Sequence, residues 1–101
     1  MSSRRSRLEI MEKVVRLCFV LTPTKSEIMY RAKLSFRQLE EFLTTCEYSG
    51  LLKKQVKGSR VVYKITDKGK EFLKEYRNFT NAMKELKVAP KVYTKVSGDE
   101  S

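Results

Sequence analysis

The sequence predicts an α+β fold that is mostly helical, with three helices, a β-hairpin and a fourth helix. Three observations carry this expectation. Ser6/Glu9, Thr24/Glu27 and Ser35/Gln38 each place a hydroxyl three residues ahead of a side chain that can return to the cap, just before an apolar helical stripe. The run LLKKQVKGSRVVYKI holds two β-rich segments around Lys57-Gly58-Ser59-Arg60. Beyond it, Phe72, Tyr76, Phe79, Met83 and Leu86 recur at steps of four and three, the seam of a long helix.

The chain has 101 residues, one domain with a modest core, and a net charge of +10. Such an excess of cations favours an anionic partner, nucleic acid first. No apolar run reaches membrane-spanning length and no signal-peptide core follows the basic start, so a cytoplasmic, nucleoid-associated protein is expected. There is no histidine and there are only two cysteines, too few donors for a zinc shell. Cys18 and Cys46 lie on apolar stripes and read as small buried hydrophobes. No metal, cofactor, membrane or small-molecule ligand is expected. Without histidine, a phosphate-binding glycine loop or an activated nucleophile, the chain does not read as an enzyme.

Residues 1–7 read as a flexible basic arm carrying Arg4 and Arg5. The first helix follows the Ser6 cap, with Leu8, Met11, Val14, Val15, Cys18 and Leu21 as its core stripe, until Thr22-Pro23 breaks it. Thr24 caps a short second helix whose Ile28, Met29 and Ala32 face inward. Lys33-Leu34 connects it to the Ser35 cap of a third helix, which buries Leu39, Phe42, Leu43 and Cys46 and leaves through Gly50. Two helices so closely joined suggest a helix-turn-helix, with the hairpin as its wing and residues 8–66 as the domain. Tyr30 and Phe36 read as core aromatics by their helical spacing.

Thr66 caps the fourth helix, residues 67–87. Phe72 is expected to reach the domain, while Phe79, Met83 and Leu86 would stand exposed unless a second chain covers them. Phe72, Tyr76, Phe79, Met83 and Leu86 are therefore the candidate dimer contacts. Residues 88–101, with Pro90 and Gly98, are expected to form a flexible tail.

The segments IMYRAKLSFRQLEEFL, GLL and VYKITDKGKEFLKEYRNF resemble the small archaeal winged-helix DNA-binding proteins of the Sulfolobus "ten-a" chromosomal type and related transcription regulators. The resemblance spans about residues 8–87. It implies a recognition helix over Ser35–Ser49, a wing over Lys53–Lys64, and an antiparallel coiled-coil dimer helix over Asp67–Lys87.

The expected partner is double-stranded DNA, bound by a homodimer acting in transcription regulation. Arg37 and Gln38, in the first turn of the third helix, have the chemistry to read guanine and adenine edges. Lys53, Lys54, Lys57, Arg60 and Lys64 in the wing can neutralise phosphates, though strand alternation prevents all five from facing one duplex. Arg31, Lys33, Arg4 and Arg5 complete the candidate contacts. Glu40, Glu41 and Glu47 give the third helix net negative charge and oppose docking on phosphate. That keeps two alternatives open, a sequence-nonspecific chromatin protein and a winged-helix protein-docking module.

Overall fold

The computed structural model describes residues 6–88. Its elements are α1 (Arg7–Val20), α2 (Lys25–Ala32), α3 (Phe36–Tyr48), β1 (Leu52–Lys57), β2 (Arg60–Ile65) and α4 (Asp67–Val88). Arg4 and Arg5, and the tail from residue 89 onward, lie outside the described residues.

All three predicted capping boxes form with both of their reciprocal bonds, at Ser6, Thr24 and Ser35. Each satisfies two backbone N–H groups that a helix start would otherwise leave unpaired. The elements enclose one core made of Val14, Val15 and Cys18 from α1, Ile28 and Ala32 from α2, Leu39, Phe42, Leu43 and Cys46 from α3, and Leu52, Tyr63 and Ile65 from the hairpin. Met11, Met29, Phe72 and Leu73 pack against it from the rim.

The α1 stripe differs from expectation at both ends. Leu8 is 45% and Leu21 37% exposed, and Ile10 is buried instead. The buried row begins at Ile10 and continues through Val14, Val15 and Cys18; Leu8 shares the side of Val15 but lies in the first turn and stays exposed. Leu21 lies past the helix, where its extended backbone caps the C-terminus through a 2.8 Å bond to the Leu17 carbonyl. Tyr30 and Phe36 also depart from the predicted core role, at 83% and 60% exposure. Tyr30 lies on the side of α2 opposite Ile28 and Ala32, whereas Phe36 shares the side of Leu39 and Leu43 but, as the first residue of α3, stays exposed with the Lys25 ammonium 5.7 Å from its ring centroid.

Burial pushes the Cys18 and Cys46 thiols up to about 12. Relative to their ordinary value of 9.0, this leaves roughly 1,000-fold less thiolate near neutrality. Neither cysteine should react with an aromatic disulfide reagent at pH 8 until urea unfolds the chain, whereupon both should titrate within minutes.

β1 and β2 pair antiparallel from Leu52↔Ile65 to Lys57↔Arg60, so the connecting loop is Gly58-Ser59. Gly58 takes φ +66°, the left-handed conformation that tight hairpin turns favour. The base of β2 is held on its other side as well. Tyr63 N–H donates to the Pro23 carbonyl at 2.9 Å, and Thr24 bridges Val62. The wing is thereby tied to the start of α2.

The segment Thr66-Asp67-Lys68-Gly69 is the joint between the wing and α4. Thr66 N–H donates to the Leu51 carbonyl at 3.0 Å. The Thr66 hydroxyl donates toward the Gly50 and Leu51 carbonyls and accepts from Gly69 N–H at 3.0 Å. A Cβ on Gly69 would sit 2.4 Å from the Leu51 oxygen and 2.6 Å from Ile65 Cγ1. Backbone cannot yield cheaply, so Gly69→Ala should destabilise the fold by about 2–3 kcal/mol. A urea midpoint unchanged from the parent would show that α4 does not seat this closely on the hairpin.

Candidate nucleic-acid interface

The α2–α3 connection sets how the third helix is presented. Lys33 adopts φ 56°, ψ 54°, and the N–H groups of Lys33 and Leu34 both point at the Met29 carbonyl. A left-handed lysine costs about 1 kcal/mol, and the buried Leu34 side chain that follows anchors the turn. The chain then enters α3 through the Ser35 cap, which leaves the first turn of α3 and its Arg37 in solvent.

Arg37 is exposed and takes no part in the ion pairs among the described residues. Gln38 is engaged: its Oε1 accepts from Ser35 N–H at 3.0 Å while its own N–H donates to Ser35 Oγ at 3.2 Å. With Oε1 occupied, only the amide N–H₂ remains to contact a base, and a two-point contact to adenine would require the capping box to open. Arg31 and Lys33 are exposed at the end of α2 and in the turn, beside this surface.

The acids of α3 are answered by residues far away in sequence. Glu40 Oε2 accepts from Lys25 Nζ at 2.5 Å. This hydrogen bond, ahead of all other influences, raises the Lys25 pKa. Glu41 lies 3.7 Å from the Arg7 guanidinium, which also stacks 4.9 Å from the Phe42 ring centroid. Glu47 turns inward, with Oε2 buried and without a hydrogen-bond partner. The negative charge that counted against α3 in the sequence is therefore paired or withdrawn. Exposed pairs of this kind contribute little to stability. Their effect here is on the potential at the helix surface.

Sequence reasoning missed Arg7 and Lys25 in this role. Glu40 is fifteen residues from Lys25, a separation with no local periodicity to betray contact.

The register divides the wing cations. Directly opposed residues share a face of an antiparallel pair and faces alternate along a strand. Lys53 opposite Lys64 and Lys57 opposite Arg60 thus fall on one face, flanking buried Val62. Lys54, opposite Tyr63, falls on the other. Like charges facing each other across a ladder are destabilising. A surface that concentrates four of them is built at some cost to the fold. Arg60 is partly offset by Glu27 of α2 at 3.8 Å, whereas Lys53, Lys57 and Lys64 take part in no ion pair among the described residues.

On α4, Phe72 and Tyr76 are half-buried, whereas Phe79, Met83 and Leu86 are exposed along the outer turns. No group of histidine, cysteine or carboxylate side chains among the described residues is arranged to hold a metal, and no described helix is long and apolar enough to cross a membrane.

A two-helix motif presenting an exposed N-terminal turn, with a basic hairpin tied to its base, defines a class. The winged helix-turn-helix family pattern matches residues 4–84, and the chain belongs to that family. The fold is that of winged-helix DNA-binding proteins and transcription regulators. Among solved structures it is similar to Sso10a-2, a DNA-binding protein from Sulfolobus solfataricus, at 25% identity and a TM-score of 0.72 over 84% of this chain and 88% of that one. This bears out the resemblance to small archaeal winged-helix proteins. MepR, a transcription regulator of the Staphylococcus aureus multidrug efflux pump MepA, shares the fold at 12% identity and a TM-score of 0.70, over 90% of this chain and 67% of that one. AF1382 from Archaeoglobus fulgidus shares it at 11% identity and a TM-score of 0.63, over 77% of this chain and 90% of that one. No curated protein matches the chain.

Proposed function

We propose that this protein is a homodimeric regulator of transcription that binds double-stranded DNA, without enzymatic activity. The first turn of α3 enters the major groove, with Arg37 reading guanine and Gln38 contributing a single amide contact. The wing lies on the sugar–phosphate backbone through Lys53, Lys57 and Lys64, with Arg60 released from Glu27 on binding and Lys54 at the margin. Arg31 and Lys33 hold the phosphates beside the helix-turn-helix, and Arg4 and Arg5, which precede the Ser6 cap in the sequence, add positive charge. Residues 8–66 form the DNA-binding unit, and residues 67–87 pair two copies as antiparallel helices through Phe72, Tyr76, Phe79, Met83 and Leu86.

The observation that carries this reading is the pairing of Glu40 with Lys25 and of Glu41 with Arg7, which leaves Arg37 as the unpaired charge on the outer side of α3. A docking module that used acidic α3 to hold a basic protein would need those carboxylates free. The description of Sso10a-2 as a DNA-binding protein and of MepR as a transcription regulator supports the same choice.

A second reading is favoured by the modest base-reading set on α3: a chromatin protein that coats DNA through the backbone alone. Selecting genomic fragments on the immobilised protein, with bulk DNA as competitor, separates the two. A regulator should recover a two-fold symmetric motif that loses discrimination at one base pair in Arg37→Ala, worth about 1–3 kcal/mol. An unenriched pool with high occupancy would establish the coat instead.

A further inference from the structure

The α4 seam is close to self-complementary. With two helices antiparallel and Phe79 opposite its twin, Phe72 meets the partner's Leu86 and Tyr76 meets the partner's Met83. This contact by itself is thin. Phe79, Met83 and Leu86 are 56%, 39% and 56% exposed, which leaves roughly 300 Å² of apolar surface to bury. A stable interface takes about 800 Å² from each partner, somewhat more than half of it apolar.

A second apolar surface stands at the end of α1, where Phe19 and Val20 are 56% and 69% exposed. They form one wall of a groove of about 600 Å³ between α1 and α4, with Leu73 and Tyr76 on the other wall and cations such as Arg77 at its rim. Tyr76 belongs to both the groove and the seam, so the two surfaces are continuous.

We infer that this groove is the second half of the dimer interface, occupied by the Met83–Leu86 end of the partner's α4, with Phe19 and Val20 as the wall it packs against. The inference rests on the antiparallel dimer proposed above. In that register the partner's last turns run past Tyr76 and Phe72, along the mouth of the groove. Adding Phe19 and Val20 brings the apolar area to roughly 500 Å² per protomer, the amount a stable interface of this size contains. The partner's Glu85, beside Leu86, brings a carboxylate toward a rim that carries Lys70, Lys74 and Arg77.

Sedimentation equilibrium on the full chain tests this. Phe19→Ser with Val20→Ser should raise the dimer dissociation constant roughly 30-fold or more while leaving the helical circular dichroism unchanged, because both side chains are already exposed in one copy. A bismaleimide should then join Phe19→Cys/Leu86→Cys chains into covalent dimers, and neither single variant should do so, since each contact pairs unlike positions. An unchanged dissociation constant together with no covalent dimer would overturn the groove assignment. Phe79→Asp with Met83→Asp serves as the companion. If it too sediments as the parent dimer, the α4 dimer itself is wrong. If it is monomeric while the α1 variants remain dimers, only the groove is.

Discussion

Phe79→Asp with Met83→Asp should convert the proposed dimer into a folded monomer whose affinity for DNA falls by roughly 100-fold or more. Both side chains are exposed in the single chain, so their loss removes nothing from the core formed by α1, α2, α3 and the hairpin. Burying two carboxylates from each copy in an apolar seam would cost far more than that seam can supply. The DNA effect comes from linkage. Two domains held together bind the second half-site at a high effective concentration, a gain of 10²–10⁴ that a monomer forgoes. Sedimentation velocity and a binding isotherm on one duplex check both parts. A double variant that still sediments as a dimer would place the interface elsewhere.

Lys57→Glu with Arg60→Glu should reduce DNA affinity by roughly 100- to 1,000-fold near physiological salt and lower the salt slope by about 2 per protomer. The two residues face each other at the tip of the hairpin, beside the Gly58-Ser59 loop. Reversal both removes two phosphate contacts and sets two carboxylates against the backbone. Arg60→Glu also places a carboxylate near Glu27, now a like charge, but both sites are exposed and the fold should lose no more than about 1 kcal/mol. Thermal melts separate that small loss from the large effect on binding. If affinity is unchanged, the wing does not lie on the duplex.

Much of the fold was legible because it depends on short-range chemistry. The three capping boxes, the Gly50 exit and the Gly58 turn are each written within four or five residues, and all of them form. The row Leu39, Phe42, Leu43, Cys46 was equally plain, since helical periodicity in an amphipathic segment leaves one choice of buried face. Periodicity failed at the helix ends, where Leu8 and Phe36 share the side of buried residues yet stay exposed and Leu21 lies past the last turn, and at Tyr30, which faces away from Ile28 and Ala32.

The candidate interface was legible in residue type and not in electrostatics. Sequence alone shows Glu40, Glu41 and Glu47 as a net negative helix. Only the fold brings Lys25 and Arg7 to the first two and turns the third inward. The role of Gly69 was hidden for the same reason, because the atoms that forbid a side chain there belong to Leu51 and Ile65. The wing register, by contrast, followed from the turn: once Gly58-Ser59 is the loop, the pairing of Lys53 with Lys64 and Lys57 with Arg60 is determined.

The most direct test of DNA binding through α3 and the wing is the affinity of the 101-residue chain for a labelled duplex, measured by fluorescence anisotropy across a salt titration. The expected result is tight binding at low salt, with log affinity falling linearly in log salt at a slope of about −5 per protomer, and a shallower slope in Lys57→Glu/Arg60→Glu. Absence of binding at the lowest salt, or binding that does not respond to salt, would contradict it.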